Sequence, residues 1–450
     1  MSEIVTSKLL DSQPTGTSGQ AIYPPNELID RYLDFARDMC ESEDNLLIGA
    51  LLPVCGAMLG RNVWFDFGRK LYPNIYSILA APAGFRKSTC VNLAESIAAR
   101  ILNKDRFLSG QASEEALFYE YDPENGGCAD KILIEDEGNT ILTNWSNSQY
   151  GKTVSKRFLS LYDCKSWKQA FKQNLKDGDS VVKSIEESST NLLIAATLGP
   201  AGFGGLEAKD GMQRRFLTYL SENLVRTIYL PKSQESQEFE NLLLDLSLLP
   251  NLEGKISFSD SAFELWKEIQ DRNRAEISEC KFQTSKGSQS KASLLANEPT
   301  CSLKIGMIFT AFRIILRENY FSKNQDSFEM EAEELLYANA HVRQCIQDSM
   351  ALEKVSQKAE IREDSERIYY NILGNPKGLK STERKDGTFI VLTKTQLTSR
   401  FANDSRRGGM TIERLYNEII PDLKRQRKCI ELEQVGKKRT FGFLKEDDHP

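Results

Sequence analysis

The chain has 450 residues, which is too long for one ordinary domain, so we expect two to four structural units. Hydrophobic residues make up 40% and charged residues 27%, as in a typical globular protein, and the absence of any run of about 18 apolar residues predicts no transmembrane span and no membrane partner. Two histidines and nine cysteines with no C-x-x-C pair argue against a zinc site and a disulfide scaffold, and predict a reducing, cytoplasmic environment.

Polar residues dominate positions 1–19, which predicts a disordered leader. Residues 20–70 are predicted to form an N-terminal helical region, since two amphipathic patterns follow Pro24-Pro25-Asn26. Residues 71–230 alternate apolar strands with helical stretches, which indicates an α/β domain with a mainly parallel sheet. The predicted strands are Ile75–Leu79, Lys131–Ile134, Asn191–Thr197 and Leu224–Tyr229.

The first of these strands leads into the motif that organises the domain, NIYSILAAPAGFRKSTCVNLA at residues 74–94. A buried strand, an Ala-Pro-Ala-Gly turn and a Lys-Ser-Thr helix start follow the order of a phosphate-binding P-loop. In such a loop Lys87 reaches the β- and γ-phosphates of ATP, and the Ser88 hydroxyl ligates Mg²⁺.

The match to the pattern G-x-x-x-x-G-K-[ST] is incomplete, because Ala81 and Arg86 stand where glycine is expected and Gly84 is the one glycine in the loop. An ordinary strand–loop–helix whose Lys-Ser-Thr caps the helix is therefore the alternative. For the P-loop interpretation, the residues predicted to contact the nucleotide are Ala83, Gly84, Phe85, Arg86, Lys87, Ser88 and Thr89.

The second strand ends in an acidic turn, Glu135-Asp136-Glu137. In P-loop ATPases a strand-end Asp holds the Mg²⁺ shell, and an adjacent Glu polarises the attacking water. We predict Asp136 as the metal ligand and Glu137 as the general base, although Glu135 could shift this register by one residue. A buried strand that leaves the core through a solvated acidic turn would have the same sequence.

Two later positions are candidates for contacts with the γ-phosphate. Thr197 ends the third strand and could orient water or sense the phosphate, or it is a core hydroxyl bonded to the backbone. Arg215 in GMQRRFL could neutralise charge on the transferring phosphoryl group, in its own chain or from a neighbouring subunit. If Arg215 acts on the phosphates of a neighbouring subunit, the chain forms a homo-oligomer, such as a ring. The alternative is that Arg214 and Arg215 are an ordinary surface arginine pair.

A lysine-rich stretch, residues 150–183, has Trp167 and Phe171 among its lysines. Lys172 and Lys176 lie before Gly178, where a turn would make a hairpin that contacts a nucleic-acid strand. A solvated helix face is the other interpretation.

The ordered series NIYSILAAPAGFRKST, SGQASEEAL, KILIEDEGNTIL, AATLGPAGF and GMQRRFL resembles an uncharacterised P-loop domain family found beside primase and helicase modules in phages, plasmids and other mobile elements. In that family an Arg often precedes the P-loop Lys, so the resemblance implies that Arg86 is a family trait. It covers roughly Pro24 to Leu352, and it implies a RecA/AAA-like ATPase that acts on DNA.

Beyond the α/β domain, residues 231–360 are predicted to form a helical lid or bundle, and residues 361–450 a basic winged-helix-like domain. Between Asn371 and Lys445 there are 17 Lys and Arg against 8 Asp and Glu, a balance of +9 in a chain of net charge −6. A second long helix would enter a DNA major groove, with Lys437, Lys438 and Arg439 as a wing along the phosphates. Winged-helix modules also dock proteins, so a protein partner stays open.

Together these elements predict an α/β chain: a P-loop NTPase core with helical N-terminal and lid regions and a C-terminal winged-helix domain. The expected function is an ATP- and Mg²⁺-dependent motor or switch acting on single- or double-stranded DNA, such as a helicase or replication initiator of a mobile element. A nucleotide-sensing regulatory, defence or assembly protein, which binds DNA or a protein partner without unwinding, is the alternative. A small-molecule kinase is disfavoured by the basic C-terminal region.

Overall fold

The computed structural model describes residues 20–444 except 111–112, 148, 173–179, 199–210, 283–285, 317–326, 375–378, 385–386, 402–410 and 436–437. The chain divides into two compact units, Met1–Glu353 and Lys354–Pro450. The predicted leader, residues 1–19, lies outside the described residues. Within the described part of the chain, no helix combines the length and the apolar character needed to cross a membrane.

The first unit contains both strands and helices. Its strands are β1 (Val63–Asp66), β2 (Lys70–Leu71), β3 (Tyr76–Ala81), β4 (Asp130–Glu135), β5 (Trp167–Lys172), β6 (Ser180–Ile185), β7 (Ser189–Thr197), β8 (Phe216–Leu220), β9 (Gly254–Phe258) and β10 (Ser327–Met330). Its helices are α1 (Glu27–Arg37), α2 (Asp44–Leu59), α3 (Lys87–Ile101), α4 (Glu114–Tyr121), α5 (Gly138–Asn147), α6 (Gln149–Tyr162), α7 (Gln237–Leu246), α8 (Asp260–Phe282), α9 (Lys286–Leu295), α10 (Glu298–Ile315) and α11 (Ala332–Gly374), which ends in the second unit.

A four-stranded parallel sheet, in the order β4-β7-β3-β8, forms the centre of the first unit. Every residue of β3 is buried, and its side chains alternate between two cores: Leu79 and Ala81 face one, Ile78 and Ala80 the other. Burial on both faces is typical of parallel sheets covered by helices. The predicted α/β core with a mainly parallel sheet is therefore confirmed.

The predicted strand Leu224–Tyr229 is wrong, because the fourth strand of this sheet is β8, which starts at Phe216. The run FLTYL of β8 is fully buried, whereas Leu224 makes one isolated bridge to Ser42 and Tyr229 is 96% exposed. Both segments have apolar runs that predict a strand, but only β8 is buried in the fold.

The predicted N-terminal and lid regions share a second sheet, in the order β10-β9-β1-β2. Strands β9 and β10 come from the predicted lid, and β9 pairs in parallel with β1 from the predicted N-terminal region. Helix α2 is buried from Asn45 to Leu59 and contacts β3, β7 and β8, so it lies against the central sheet. The three predicted regions therefore belong to one compact unit.

The lysine-rich stretch folds as α6 followed by an antiparallel hairpin, β5–β6, with Trp167 opposite Ile185 and Lys172 opposite Ser180. The hairpin prediction is confirmed at the level of the backbone. Lys176 and the side chain of Lys172 lie outside the described residues.

The second unit contains the end of α11 followed by β11 (Lys380–Arg384), β12 (Gly387–Thr393), α12 (Lys394–Phe401), α13 (Ile412–Arg414), a π turn, α14 (Ile420–Arg425), β13 (Cys429–Val435) and β14 (Lys438–Leu444). Its four strands form an antiparallel sheet in the order β11-β12-β14-β13. Buried side chains of the helices and of this sheet, among them Ile372, Leu397, Leu415 and Phe443, form a core of their own.

Candidate functional site

The loop between β3 and α3 lies at the carboxyl edge of the parallel sheet, where ligands bind in open α/β folds. Gly84 (φ 85°) and Arg86 (φ 58°) both adopt left-handed backbone conformations. For Arg86 this is a conformation that side chains rarely adopt, so the fold maintains it at some cost. Arg86 is the N-cap of α3 and gives the helix no side-chain cap, which leaves first-turn N–H groups facing the loop.

Lys87, the first residue of α3, folds back onto the loop. Its Nζ donates to the carbonyl oxygens of Ala81 at 2.7 Å and Pro82 at 2.8 Å, and the residue is 7% exposed. Burial lowers the pKa of Lys87. Both acceptors are neutral carbonyls, so an anion in the loop would be a stronger partner for this ammonium group.

The outer side of the loop is held by Cys40, Glu41 and Ser42, which connect α1 to α2. Ser42 Oγ donates to the carbonyl of Phe85 at 2.7 Å, and the Cys40 thiol to the carbonyl of Arg86 at 3.7 Å. Glu41 accepts from Arg86 Nε at 2.9 Å, and this hydrogen bond lowers the pKa of Glu41. The Arg86 side chain is therefore paired with Glu41 on the outside of the loop.

Sequence reasoning missed this supporting segment. It lies more than 40 residues before the loop, and no local pattern in its sequence marks the contact.

The acidic pair lies at the same edge of the sheet as the loop. Asp136 and Glu137 directly follow β4, and both are exposed. A Cβ atom at Gly138 would lie 2.0 Å from Ile194 Cγ2, so glycine is required there and α5 starts tightly against β7. Since β7 lies between β3 and β4, two strand spacings, about 10 Å, separate the acidic pair from the loop.

Thr197 ends β7 between these two groups. It is aligned with Ala81 in the register of β3 and β7, and the N–H of Leu198 donates to the Ala81 carbonyl. Asn139 fixes the strand end, because its Oδ1 accepts from the Thr197 N–H at 3.1 Å and its Nδ2 donates to the Thr197 carbonyl at 3.3 Å. Asn139 is a second residue that the sequence did not single out.

The structure does not bring Arg215 to the loop of its own chain. Arg215 precedes β8, at the amino edge of the sheet, and Ala80 near the loop pairs with the opposite end of that strand. Five residues of strand amount to about 17 Å. The Arg215 side chain is 13% exposed, and its guanidinium donates to Asp163 Oδ2 and to the Gly211 carbonyl, both at 2.9 Å.

The side chains of the residues predicted to contact nucleic acid all lie outside the described part of the structure. Lys437 lies outside the described residues, and nothing is described of the side chains of Lys438 and Arg439 beyond their place in or next to β14. Residues 199–210, which carry the end of AATLGPAGF, also lie outside the described part of the chain.

A metal at this edge would have few protein ligands. Among the described residues, no group of three or more His, Cys, Asp and Glu side chains is arranged to hold a metal ion. The predicted ligands are one hydroxyl, Ser88, and one carboxylate, Asp136, both exposed at the carboxyl edge. This small set fits Mg²⁺ that arrives with a nucleotide, since such ions keep several waters and take phosphate oxygens as ligands.

A scan against models of protein families found no match to this chain, and a search of curated protein sequences found none either. The resemblance to the P-loop domains of mobile elements therefore stays a prediction carried by the motifs.

Proposed function

We propose that the chain is an ATPase that binds Mg²⁺-ATP at the carboxyl edge of its parallel sheet and uses it to act on DNA. The observation that carries this proposal is the convergence at one edge of an uncapped helix start, the buried Lys87 ammonium group and the exposed Asp136-Glu137 pair. Helix N-termini and lysine favour phosphates, and carboxylates favour Mg²⁺ and the activation of water.

Each residue then has a stated role in hydrolysis. Lys87 exchanges its two carbonyl acceptors for phosphate oxygens, and the N–H groups of residues 83–89 surround the phosphates. Ser88 and Asp136 would hold Mg²⁺, which would neutralise charge on the phosphates. Glu137 accepts a proton from the attacking water, and Thr197, placed between the loop and the acids, orients that water.

The proposal is tested by phosphate release from ATP, with and without single-stranded DNA. Lys87→Ala should lower turnover by about 10²–10³-fold, the loss typical of removing one group that stabilises transition-state charge. Lys267→Ala, in an exposed lysine of α8, is the control and should keep wild-type turnover. Unchanged turnover in Lys87→Ala would remove the site assignment.

For the action on DNA we propose a motor or switch of the helicase or replication-initiator type, with the second unit as a winged-helix-like DNA-binding module. The order helix, two strands, helices and final hairpin supports that comparison. Replacing Lys437, Lys438 and Arg439 together by alanine should weaken DNA binding and reduce the salt slope of the affinity by up to about 3.

A specific observation favours the alternative, a nucleotide-dependent switch that docks a protein. The basic residues of the helix before the final hairpin are paired within the unit: Arg414 with Asp364 at 2.9 Å, Lys424 with Glu431 at 2.6 Å and Arg425 with Asp422 at 3.0 Å. Paired cations contribute less to phosphate binding. ATP turnover that DNA does not stimulate, together with no strand displacement, would favour this second function.

A homo-oligomer is also part of the proposal. Because Arg215 lies at the amino edge, its action on a neighbour's phosphates requires head-to-tail packing, the arrangement that closes into rings. It also requires release from Asp163. Sedimentation with a non-hydrolysable ATP analogue should show assembly, and a monomer at all concentrations would contradict it.

A further inference from the structure

Two cysteines are in contact directly behind the loop. Cys40 follows α1, Cys90 lies in the first turn of α3, and their Sγ atoms are 3.3 Å apart. Both side chains are buried, at 1% and 0% exposure. All nine cysteines are free thiols, and among the described residues no other pair of Sγ atoms is in hydrogen-bonding contact.

The surroundings make the two thiols unequal. The hydrogen bond from Cys90, together with a hydrogen bond from the Ser42 N–H, lowers the pKa of Cys40. The same hydrogen bond, and secondly burial, raises the pKa of Cys90. The thiolate is the reactive form of cysteine, so Cys40 is the nucleophile of the pair and Cys90 the partner that resolves its oxidised form.

We propose that Cys40 and Cys90 form a reversible disulfide that weakens nucleotide binding at the adjacent loop. The oxidant is a hydroperoxide. The Cys40 thiolate attacks one peroxide oxygen, the O–O bond breaks, and hydroxide leaves as Cys40 becomes a sulfenic acid. The Cys90 sulfur then attacks the Cys40 sulfur, the S–S bond forms, and water carries away the sulfenic oxygen and the Cys90 proton. Thiols restore the pair.

The geometry gives the bond a direct effect on the site, and this part rests on the proposed nucleotide function. The sulfurs would approach from 3.3 Å to about 2.05 Å. Cys90 lies three residues after Lys87 on the same helix, and Cys40 contacts the Arg86 carbonyl and precedes Glu41 and Ser42, which hold the loop. A shift of the helix start by about 1 Å relative to the phosphates is large on the scale of binding geometry.

The experiment uses the full chain, reduced or treated with hydrogen peroxide. Non-reducing peptide mapping by mass spectrometry should find a Cys40–Cys90 link, and Cys128, which is more exposed than either, reports oxidation outside the pair. Binding of a fluorescent, non-hydrolysable ATP analogue should weaken by about tenfold on oxidation and recover with dithiothreitol. Cys90→Ala should bind as the reduced wild type does and form no link to Cys40 after peroxide treatment. If its melting temperature shows that it is unfolded, Cys90→Ser replaces it.

The outcomes separate the two proposals. A mapped link with unchanged analogue affinity, or oxidation of Cys128 without the link, overturns the switch. Reduced protein that binds no analogue overturns the proposed function and the coupling to it. The mapped bond and its reversal by dithiothreitol are read independently of nucleotide.

Discussion

Each edge of the β4-β7-β3-β8 sheet holds a buried lysine, and the two lysines differ in their hydrogen-bond partners. At the carboxyl edge, Lys87 donates to two carbonyls of a loop in which Gly84 is exposed. At the amino edge, Lys304 donates to Asn74 Oδ1 at 2.7 Å and to the carbonyls of Asn74 and Tyr162, both at 3.1 Å, with its Nζ 3.5 Å from the centre of the Tyr162 ring.

We interpret Lys304 as a structural lysine and Lys87 as the proposed phosphate-binding one. Lys304 has an acceptor for each of its three N–H groups, supplied by Asn74 and Tyr162. Burial lowers its pKa to about 8, although the charged form is fully hydrogen-bonded. Lys87 has two acceptors and an exposed neighbour, Ser88, so a ligand can replace its contacts. Burial of a lysine by itself therefore does not mark a site.

The largest effect is expected at Glu137, the proposed general base of the carboxyl edge. Glu137→Gln removes the proton acceptor and keeps the shape, so turnover should fall by about 10²–10⁴-fold while ATP binding persists. Phosphate release and equilibrium binding of ATP measure the two quantities. Glu135→Gln, two residues earlier in the same acidic turn, is the matched control, and a larger loss there would contradict the assignment of Glu137 as the base.

The second prediction concerns Lys304, the structural lysine of the amino edge. Lys304→Met leaves the Asn74 and Tyr162 acceptors buried without their donor, which should cost about 1–3 kcal/mol of unfolding free energy. Urea denaturation measures it, with Lys87→Met as the counterpart that should lose less stability, because the Leu198 N–H still donates to the Ala81 carbonyl. Equal losses of ATP affinity in the two variants would show that the edges do not divide function from structure.

The sequence predicted the elements whose signal is local. The apolar runs of β3, β4 and β7 were placed within two residues of their observed ends, and the loop, the acidic turn and Thr197 follow them at the predicted edge. The direction of a strand after a loop is not local, so Arg215 was expected beside the phosphates and lies at the far edge.

The same limit explains the supporting residues that were missed. Glu41 and Ser42 hold the loop from a segment before α2, and Asn139 bonds to Thr197 across two elements. These are single polar residues whose partners are 43 to 58 positions away. Periodicity and motif spacing cannot predict contacts between residues so far apart in the chain, because they describe one element at a time.

The third prediction concerns Asp348, a buried acid at the carboxyl edge that we regard as structural. It accepts from the Leu220 N–H at 3.1 Å and from Gln344, and burial, with Glu43 and Glu222 adding repulsion, raises its pKa to about 6. A folded pKa above the unfolded value of about 3.9 means that its contribution to stability is present below pH 4 and lost as pH rises through 6.

Asp348→Asn keeps an acceptor for Leu220 and removes this titration. Relative to wild type, the variant should gain up to about 3 kcal/mol of unfolding free energy at pH 7.5 and little at pH 4. Urea denaturation at the two pH values measures the difference. A variant that is equally destabilised at both would show that the carboxylate is needed in its charged form.

The smallest effect is expected at Arg86, the residue that stands where a P-loop has glycine. Its guanidinium is exposed and paired with Glu41 outside the loop, and exposed ion pairs contribute little to stability. Glycine also accepts the left-handed backbone of φ 58° without strain. Arg86→Gly should therefore change ATP affinity by less than about threefold.

Glu41→Gln is the matched variant, since it breaks the same ion pair and leaves the loop backbone as it is. Two small, similar effects in equilibrium ATP binding would keep Arg86 on the outside of the loop. If Arg86→Gly lost ten times more affinity than Glu41→Gln, the guanidinium would have to turn inward when ATP binds. The carboxyl edge would then supply a second cation to the phosphates, and its contrast with the fully hydrogen-bonded lysine of the amino edge would be larger than the structure shows.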